Sequence, residues 1–320
     1  MNKSHHSRSE KLNDPFLFQG DQTTKGYFEG WYYKQVNAMR GQTISVIFGV
    51  SMHVAHTHSF VQLLQTNPLR TYYFEYPIDE FGYADGTFRI GPNRFSKQGI
   101  TLDLHQDDLN CTGSLTYTKL TALKTSFYMP SIMGPFAYIP DMECNHGVVS
   151  MRHQVDGTLE LNNESWSFQK DTGYIEKDWG RSFPKRYIWI QGNHFAKSEA
   201  NLMLSVADIP FLKMNFEGVI AQLDIPGKSL RIATYFGGRK GKLERSKDGF
   251  TLELIQGEYR LQVIAKVDET GDLKAPVQGS MHATIKEGLG GTIIVRLTKG
   301  EKILWEDSSG HCGIEIEGYA

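Results

Sequence analysis

Apolar and polar residues alternate in short runs along most of this chain. In the segment Ile100–His105, every second residue is apolar, which is the period of a half-buried β-strand. Comparable apolar-rich runs recur at six further places: Ile44–Val50, Gly157–Leu161, Leu202–Val206, Phe250–Ile255, Tyr259–Ala265 and Thr292–Leu297. Turn-like dipeptides lie between or beside such runs: Asp85–Gly86, Asp156–Gly157, Asp248–Gly249 and Gly271–Asp272.

No segment sustains a helical periodicity, so the sequence predicts an all-β chain with few, short helices. The number of strands exceeds what one small barrel needs, which favours two consecutive antiparallel β-barrels or sandwiches. We expect an N-terminal barrel over residues 15–170 and a C-terminal barrel over residues 171–320. The polar residues 1–14 are expected to be a disordered lead-in.

Composition narrows the classes of function. The 320 residues include 34 Lys and Arg against 36 Asp and Glu, and this net charge of −2 excludes a general nucleic-acid binder. Three widely spaced cysteines and a polar N-terminus predict neither a disulfide framework nor a signal peptide, so we expect a cytoplasmic protein. Since no nucleotide-binding fingerprint occurs, we expect no cofactor.

The segment Tyr174–Phe195 concentrates carboxylates, amides and indoles in one short stretch. If its second half is extended, Ile188 and Ile190 lie on one face. The other face then carries aromatic and amide side chains, namely Tyr187, Trp189, Gln191 and Asn193. Such a mixture suits a ligand-lined cavity better than water or a dry core.

Two acids lie in the first half of this segment. In an extended strand Glu176 and Asp178 share a face, next to Trp179. One interpretation is a surface ion-pair cluster with Lys177 and Arg181. The other is a carboxyl group that an apolar cavity keeps protonated, so that it can act as a general acid. The residues leave both open.

An aromatic motif, Phe28–Lys34, begins the folded part of the chain. In a strand, Glu29, Trp31 and Tyr33 share one face. These side chains either face a ligand or plug the base of a barrel, because Trp and Tyr are often buried with one polar tip satisfied.

Three histidines lie within His53–Gln62. His56 and His58 would share one face of a strand, as in metal-binding jelly rolls, but Gln62 stands where such sites have a carboxylate. We therefore expect no metal. His58 and Gln62 are instead expected to line a polar pocket, or to lie in a surface loop.

A third candidate is Met142–Ser150, which contains Glu143, Cys144 and His146. Their spacing would align Cys144 with His146 on a strand, so a nucleophile pair is conceivable. Because no third orienting group is evident, a buried structural cysteine is favoured.

Three of these segments resemble the tocopherol cyclase family. Tyr174–Phe195 looks like the central signature of that family, Phe28–Lys34 looks like its N-terminal motif, and Met142–Ser150 is similar to the segment that precedes the signature in bacterial members. The resemblance implies two lipocalin-like β-barrels with a cavity, a fold shared with carotenoid hydratases. It also implies a cofactor-independent reaction, in which protonation of an alkene closes a chroman ring on a prenylated phenol.

The resemblance gives the candidate residues their roles. Glu176 would be the catalytic acid, with Asp178 second, and Gln191 or Asn193 would orient the phenol. Aromatic faces such as Trp31 would stabilise the cation by roughly 1–2 kcal/mol each. The expected substrate-binding residues are Glu29, Trp31, Tyr33, His58, Gln62, Glu143, His146, Trp179, Trp189, Gln191 and Asn193.

Other functions remain open at this point. The same cavity could belong to a carrier or sensor that binds an isoprenoid or quinone without converting it, with Glu176 and Asp178 ion-paired to Lys177, Arg181 or Lys185. A hydratase would need a route for water into the cavity. In each case the expected partner is a hydrophobic small molecule, which allows transient contact with a membrane, and no nucleic acid is expected.

Overall fold

The computed structural model describes residues 6–21, 23–106, 108–140, 142–211 and 214–319. It is about 66% strand and 7% helix, and its two large antiparallel sheets curl into a near-barrel and a half-barrel. The predicted all-β, two-barrel architecture is therefore confirmed. Among the described residues, none of the helices has the length and apolar character needed to cross a bilayer.

The first sheet has eleven strands in the order β4-β3-β2-β1-β11-β10-β9-β8-β7-β6-β5. Their bounds are β1 Phe28–Asn37, β2 Gln42–Met52, β3 Thr57–Gln65, β4 Arg70–Pro77, β5 Phe81–Ala84, β6 Thr87–Ile90, β7 Asn93–Ser96, β8 Gly99–Gln106, β9 Leu109–Thr118, β10 Cys144–Leu161 and β11 Glu164–Gly180. The first and last strands of this sheet in sequence, β1 and β11, are antiparallel neighbours inside it.

The second sheet has the order β15-β14-β13-β12-β22-β21-β18-β17-β16, with β19 paired to β20 and β20 paired to β22. Its strands are β12 Tyr187–Gly192, β13 Asn201–Phe211, β14 Met214–Ile225, β15 Lys228–Ala233, β16 Arg239–Ser246, β17 Gly249–Gln256, β18 Tyr259–Lys266, β19 Gly271–Val277, β20 Ser280–Glu287, β21 Gly291–Lys299 and β22 Lys302–Glu317. Within the described residues, the helices are α1 Arg8–Asn13 and four short 3-10 turns: Ala38–Arg40, Ile78–Glu80, Gly134–Tyr138 and Thr234–Phe236.

Each sheet has its own hydrophobic core, because alternate side chains of every long strand point to one face. The core of the first sheet includes Trp31, Phe48, Val61, Phe88 and Ile175. The core of the second includes Ile190, Leu204, Val263 and Leu297. The predicted strands all lie within these sheets.

The chain divides into two compact units. Met1–Phe183 and Lys274–Thr284 form the first, and Pro184–Leu273 and Ile285–Ala320 form the second. The boundary expected at residues 170/171 falls inside β11.

Three local features differ from the sequence prediction. Residues 8–13 of the expected disordered segment form α1, because Ser7 and Glu10 form a capping box; residues 1–5 lie outside the described part. The turn expected at Asp156–Gly157 is a bulge in continuous β10, where Gly157 has a φ of 129° and a Cβ would approach the Ser114 carbonyl oxygen at 2.3 Å. Gly271–Asp272 begins β19 instead of forming a hairpin turn.

Candidate functional site

Strand β11 separates its last residues onto two faces. Tyr174, Glu176 and Asp178 lie on one face, while Ile175 and Lys177 lie on the other. Strands β1 and β10 flank β11 on either side and supply the neighbours of both faces. This alternation creates two polar clusters that share a strand but no side chain.

The first group is the acid cluster, formed by Tyr174, Glu176, Asp178 and His146. His146 lies opposite Asp178 in the β10–β11 register, and its Nδ1 lies 2.8 Å from Asp178 Oδ1. Its Nε2 is 3.3 Å from Glu176 Oε2, an ion-pair distance without hydrogen-bond geometry. The Tyr174 hydroxyl donates to the same Glu176 oxygen at 2.5 Å. One imidazole is thus held between two carboxylates.

Burial and charge together decide the protonation of this cluster. Burial alone would lower the pKa of His146, but the charges of Asp178 and Glu176 raise it to about 10. Burial and then the Glu176 charge raise the pKa of Tyr174, so its hydroxyl keeps its proton and donates. The cluster therefore holds a proton on His146 at neutral pH.

Glu176 is only 4% exposed, and the surface ion-pair interpretation is wrong. Lys177 points to the other face, where it forms an ion pair with Glu29 instead. The electrostatic partner that the structure gives to Glu176 and Asp178 is His146.

The second group, on the opposite face, is the lysine cluster of Glu29, Lys177, Trp31 and Tyr27. Glu29 accepts hydrogen bonds from the backbone N–H groups of Gln19 and Gly20 and, at 2.5 Å, from the Tyr27 hydroxyl. Lys177 Nζ lies 4.5 Å from the centre of the Trp31 ring. Burial lowers the pKa of Lys177 to about 8, and Glu29 opposes that shift. The motif at residues 28–34 thus contributes to a buried ion pair.

Trp31, Tyr33 and Trp179 belong to this same opposite face. Trp31 and Tyr33 are fully buried in the first core, and Trp179 packs against it. Trp31 Nε1 donates to the Phe16 carbonyl at 2.9 Å, and the Tyr33 hydroxyl donates to the Ser96 carbonyl at 3.1 Å. The structure does not bring these rings to the acid cluster.

His58 and Gln62 do share the face of the acid cluster. A row of directly paired residues runs across the sheet from Glu176 through Tyr32, Ile47 and Gln62 to Tyr73. His58 lies on the same face of β3, four residues before Gln62, with its Nε2 2.7 Å from the Tyr73 hydroxyl. Burial lowers the pKa of His58, and the Glu75 charge opposes this.

The side-chain amide of Gln62 forms two hydrogen bonds with the backbone of Lys274. Its Nε2 donates to the Lys274 carbonyl at 3.0 Å, and its Oε1 accepts from the Lys274 N–H at 2.8 Å. Gln62 therefore holds the segment Lys274–Thr284 within the first unit.

Glu143 and Cys144 lie at the start of β10. The Glu143 carbonyl accepts from the Arg181 N–H at 2.8 Å. Burial, followed by the charges of Asp178 and Glu143, raises the pKa of Cys144, which disfavours a thiolate. Because His146 Nδ1 is engaged by Asp178, the Cys-His pair does not form.

The second unit contains the other predicted face, on β12. Ile188 and Ile190 enter its core as expected, and Trp189, Gln191 and Asn193 are all buried. Gln191 is fully buried, and neither of its amide atoms has a hydrogen-bond partner among the described residues. An unsatisfied buried amide costs about 1–3 kcal/mol, so a polar group of a ligand would relieve it.

Sequence reasoning missed several polar neighbours. Tyr174 lies two residues before Glu176, and the same alternation that grouped the acids could have found it. Glu315, which accepts from the Tyr187 hydroxyl at 2.7 Å, comes from β22 and has no local signal. Neither has Glu75, whose place beside His58 depends on the pairing of β3 with β4.

A family model and two known proteins similar to parts of this chain all point to the same family. Residues 126–318 match a family model described as tocopherol cyclase-like. A stretch of 51 residues is 33% identical to a probable chloroplastic tocopherol cyclase from Oryza sativa subsp. japonica, covering 16% of this chain and 11% of the relative. A stretch of 77 residues is 30% identical to the chloroplastic tocopherol cyclase of Zea mays, covering 24% of this chain and 16% of the relative. The matched stretches thus span under a fifth of these relatives.

Solved structures share the fold over nearly the whole chain. A putative AttH from Nitrosomonas europaea superposes with a TM-score of 0.56 at 14% identity, covering 92% of this chain and 93% of that one. Kievitone hydratase from Nectria haematococca gives a TM-score of 0.51 at 11% identity, covering 91% and 88%. At these identities the likeness shows the fold alone.

Proposed function

Because the chain belongs to the tocopherol cyclase-like family, we propose that it is a cofactor-independent enzyme that protonates a carbon–carbon double bond of a hydrophobic substrate. The proposed outcome is ring closure of a chroman type on a prenylated phenol or a related isoprenoid. The observation that carries this proposal is the acid cluster, where buried His146 lies between the carboxylates of Glu176 and Asp178.

The proton path follows from the distances in the cluster. Asp178 fixes the imidazole through Nδ1, and the other ring nitrogen, Nε2, lies 3.3 Å from Glu176 Oε2, so a small rotation of either side chain would align the two groups for proton transfer. A bound apolar substrate excludes water and disfavours separated charges, so transfer of the imidazole proton to Glu176 gives a neutral pair. Glu176 then acts as the general acid toward the alkene.

The reaction balances without any co-reactant. The alkene gains a proton from Glu176, which leaves a tertiary cation. The phenol oxygen forms a bond to that cation, and the phenolic proton returns to the Glu176 carboxylate. The product is an isomer of the substrate, and the acid cluster is restored.

Aromatic rings on the same face can lower the energy of the cation. Tyr32 is the register partner of Glu176, and Phe60 shares its face of the sheet. Each ring adds about 0.5–2 kcal/mol when it is desolvated, and both are buried. We assign this role to them instead of to Trp31 and Trp179, which lie on the opposite face.

Replacement of the acid tests the proposal. Glu176→Gln keeps the shape but removes the exchangeable proton, so we expect turnover of a prenylated hydroquinone to fall by about 10²–10⁴ while binding is retained. Product is measured by chromatography with mass detection, and binding by titration. Glu164→Gln, an exposed change at the start of β11, is the matched control. Wild-type turnover in Glu176→Gln would exclude this acid.

Labelled water separates cyclisation from hydration. In H₂¹⁸O a cyclised product stays unlabelled because its ring oxygen comes from the phenol, whereas a hydrated product gains the label. The carrier alternative predicts that the ligand is recovered unchanged. That alternative also expected Glu176 and Asp178 to pair with Lys177, Arg181 or Lys185, and the structure gives them His146.

A further inference from the structure

A second group of histidine and carboxylate side chains lies at the edge of the first sheet, distinct from the acid cluster. His56 immediately precedes β3, His58 is in β3, and Glu75 is in the edge strand β4. One ligand atom from each of these three residues lies within 4.8 Å of the others. His56 Nε2 is 2.8 Å from Glu75 Oε2, and His58 Nε2 is 3.8 Å from Glu75 Oε1.

We propose that His56, His58 and Glu75 form a binding site for a divalent transition-metal ion of the zinc class. Two imidazole nitrogens and one carboxylate oxygen are a donor set that zinc takes in sites where water completes the coordination. All three ligands belong to the first unit.

Strand pairing supplies the carboxylate that the local sequence lacks. Glu75 lies directly opposite Phe60 in the β3–β4 register, which makes it the diagonal neighbour of His58 on the same face. Gln62, where the sequence pattern placed the missing carboxylate, is instead bonded to Lys274. The sequence-based argument against a metal site was the missing carboxylate, and Glu75 supplies one.

The orientation of the two imidazoles suits metal binding. His58 Nδ1 faces the His56 carbonyl oxygen at 3.4 Å, which leaves its Nε2 as the ligand atom. The two rings lie 4.5 Å apart, centre to centre. His58 is buried and therefore fixed, whereas the side chains of His56 and Glu75 are 61% and 48% exposed. Solvent can thus deliver the ion and provide the remaining ligands.

The acid cluster is the weaker candidate for a metal. It offers a single histidine, and both ring nitrogens of that residue face carboxylates. One of its carboxylates already accepts from Tyr174. At the edge site the competing contact is the Tyr73 hydroxyl, which lies 2.7 Å from His58 Nε2 and has to move aside for an ion to bind that nitrogen.

Calorimetric titration with zinc chloride tests the site on the full chain after dialysis against a chelator. We expect one equivalent to bind, and Glu75→Gln or His56→Ala to weaken binding by at least about tenfold. The matched control is His105→Ala, because His105 also contacts a carboxylate, Asp103 at 2.6 Å, and is equally exposed at 61%. Unchanged affinity in both variants, or only weak multiple binding, would overturn the assignment.

A second readout is independent of heat signals. An ion that binds the native state raises the melting temperature by mass action. Zinc should raise it in the wild type and in His105→Ala, with reversal by chelator, and should have no such effect in Glu75→Gln. An equal shift in all three proteins would show that the ion binds elsewhere. Neither result affects the proposed chemistry of the acid cluster.

Discussion

The pKa of His146 is raised because this buried imidazole lies between two carboxylates. An isolated buried imidazole would lose its proton, since burial disfavours charge. Asp178 and Glu176 reverse this, and the imidazolium neutralises one of their two negative charges. The two carboxylates thus favour the protonated form of a buried imidazole.

This raised pKa predicts how stability changes with pH. The pKa of His146 rises from 6.5 to about 10 on folding, so between these values the native state keeps a proton that the unfolded chain loses. Its stabilising contribution is complete below pH 6.5 and is lost as the pH rises toward 10, by about 1.4 kcal/mol per pH unit. Urea unfolding of wild type and His146→Gln at several pH values measures the difference.

The control for this experiment is His105→Gln, which removes an exposed histidine beside Asp103. Because exposed pairs are screened by solvent, its stability difference from the wild type should hardly change over the same range. A constant difference between wild type and His146→Gln would contradict the raised pKa of His146.

At the residue level, the sequence predicted two of the four members of the acid cluster. Alternation placed Glu176 and Asp178 on one face, as the structure has them. It associated His146 with Cys144, because spacing within a segment was the only information available. The contact of His146 with Asp178 joins residues 32 positions apart, and the β10–β11 register that creates it includes bulges.

At the scale of elements, β1, β10 and β11 hold two polar clusters on opposite faces of the first sheet. Gly30 of β1 pairs with both Asp178 and Gly49 of β2, so the row beside the acid cluster has two positions without side chains. A Cβ at Gly49 would lie 2.9 Å from the Phe60 ring and 2.1 Å from the Glu29 carbonyl oxygen. The sheet packs at this point only because residue 49 is glycine.

Gly49→Ala should therefore destabilise the first unit. Its methyl group meets backbone, which cannot rotate away, so we expect a loss of about 1–3 kcal/mol in the free energy of unfolding. Gly82→Ala in β5 is the matched control, because its Cβ would meet only Arg89 side-chain atoms at 3.8 Å or more. Denaturant unfolding compares the two. Equal stabilities would mean that β1 and β2 separate here at little cost.

Strands were predictable and their pairing was not. Every alternating run chosen from the sequence lies in a strand, because the alternation of apolar and polar residues depends only on neighbouring positions. The same local rule misjudged Asp156–Gly157, since a glycine that permits a bulge looks like one that permits a turn. It also left open whether Glu29 and Trp31 face a ligand or a core, because alternation gives two faces but not which of them is the core.

At the scale of the whole molecule, each unit has a core of its own. The position of a segment along the chain does not decide which unit it belongs to. Lys274–Thr284 belongs to the first unit although the residues on both sides of it belong to the second. It is held by Gln62, which is 212 positions away along the chain, and by the bond from the Gly279 N–H to the Arg181 carbonyl at 2.7 Å. Contacts this distant leave no pattern in the sequence.

The membership of this segment can be measured by native-state hydrogen exchange. Leu63 and Leu204 are both fully buried, in the first and second cores respectively, and truncation of either to Ala should cost about 2–5 kcal/mol. Leu63→Ala should speed exchange at the amides of Lys274 and Gly279, because their acceptors lie in the weakened unit. Leu204→Ala should speed exchange in β12–β14 and leave these two amides protected. If Leu204→Ala instead exposed them as much as Leu63→Ala does, the segment would be stabilised by the second core.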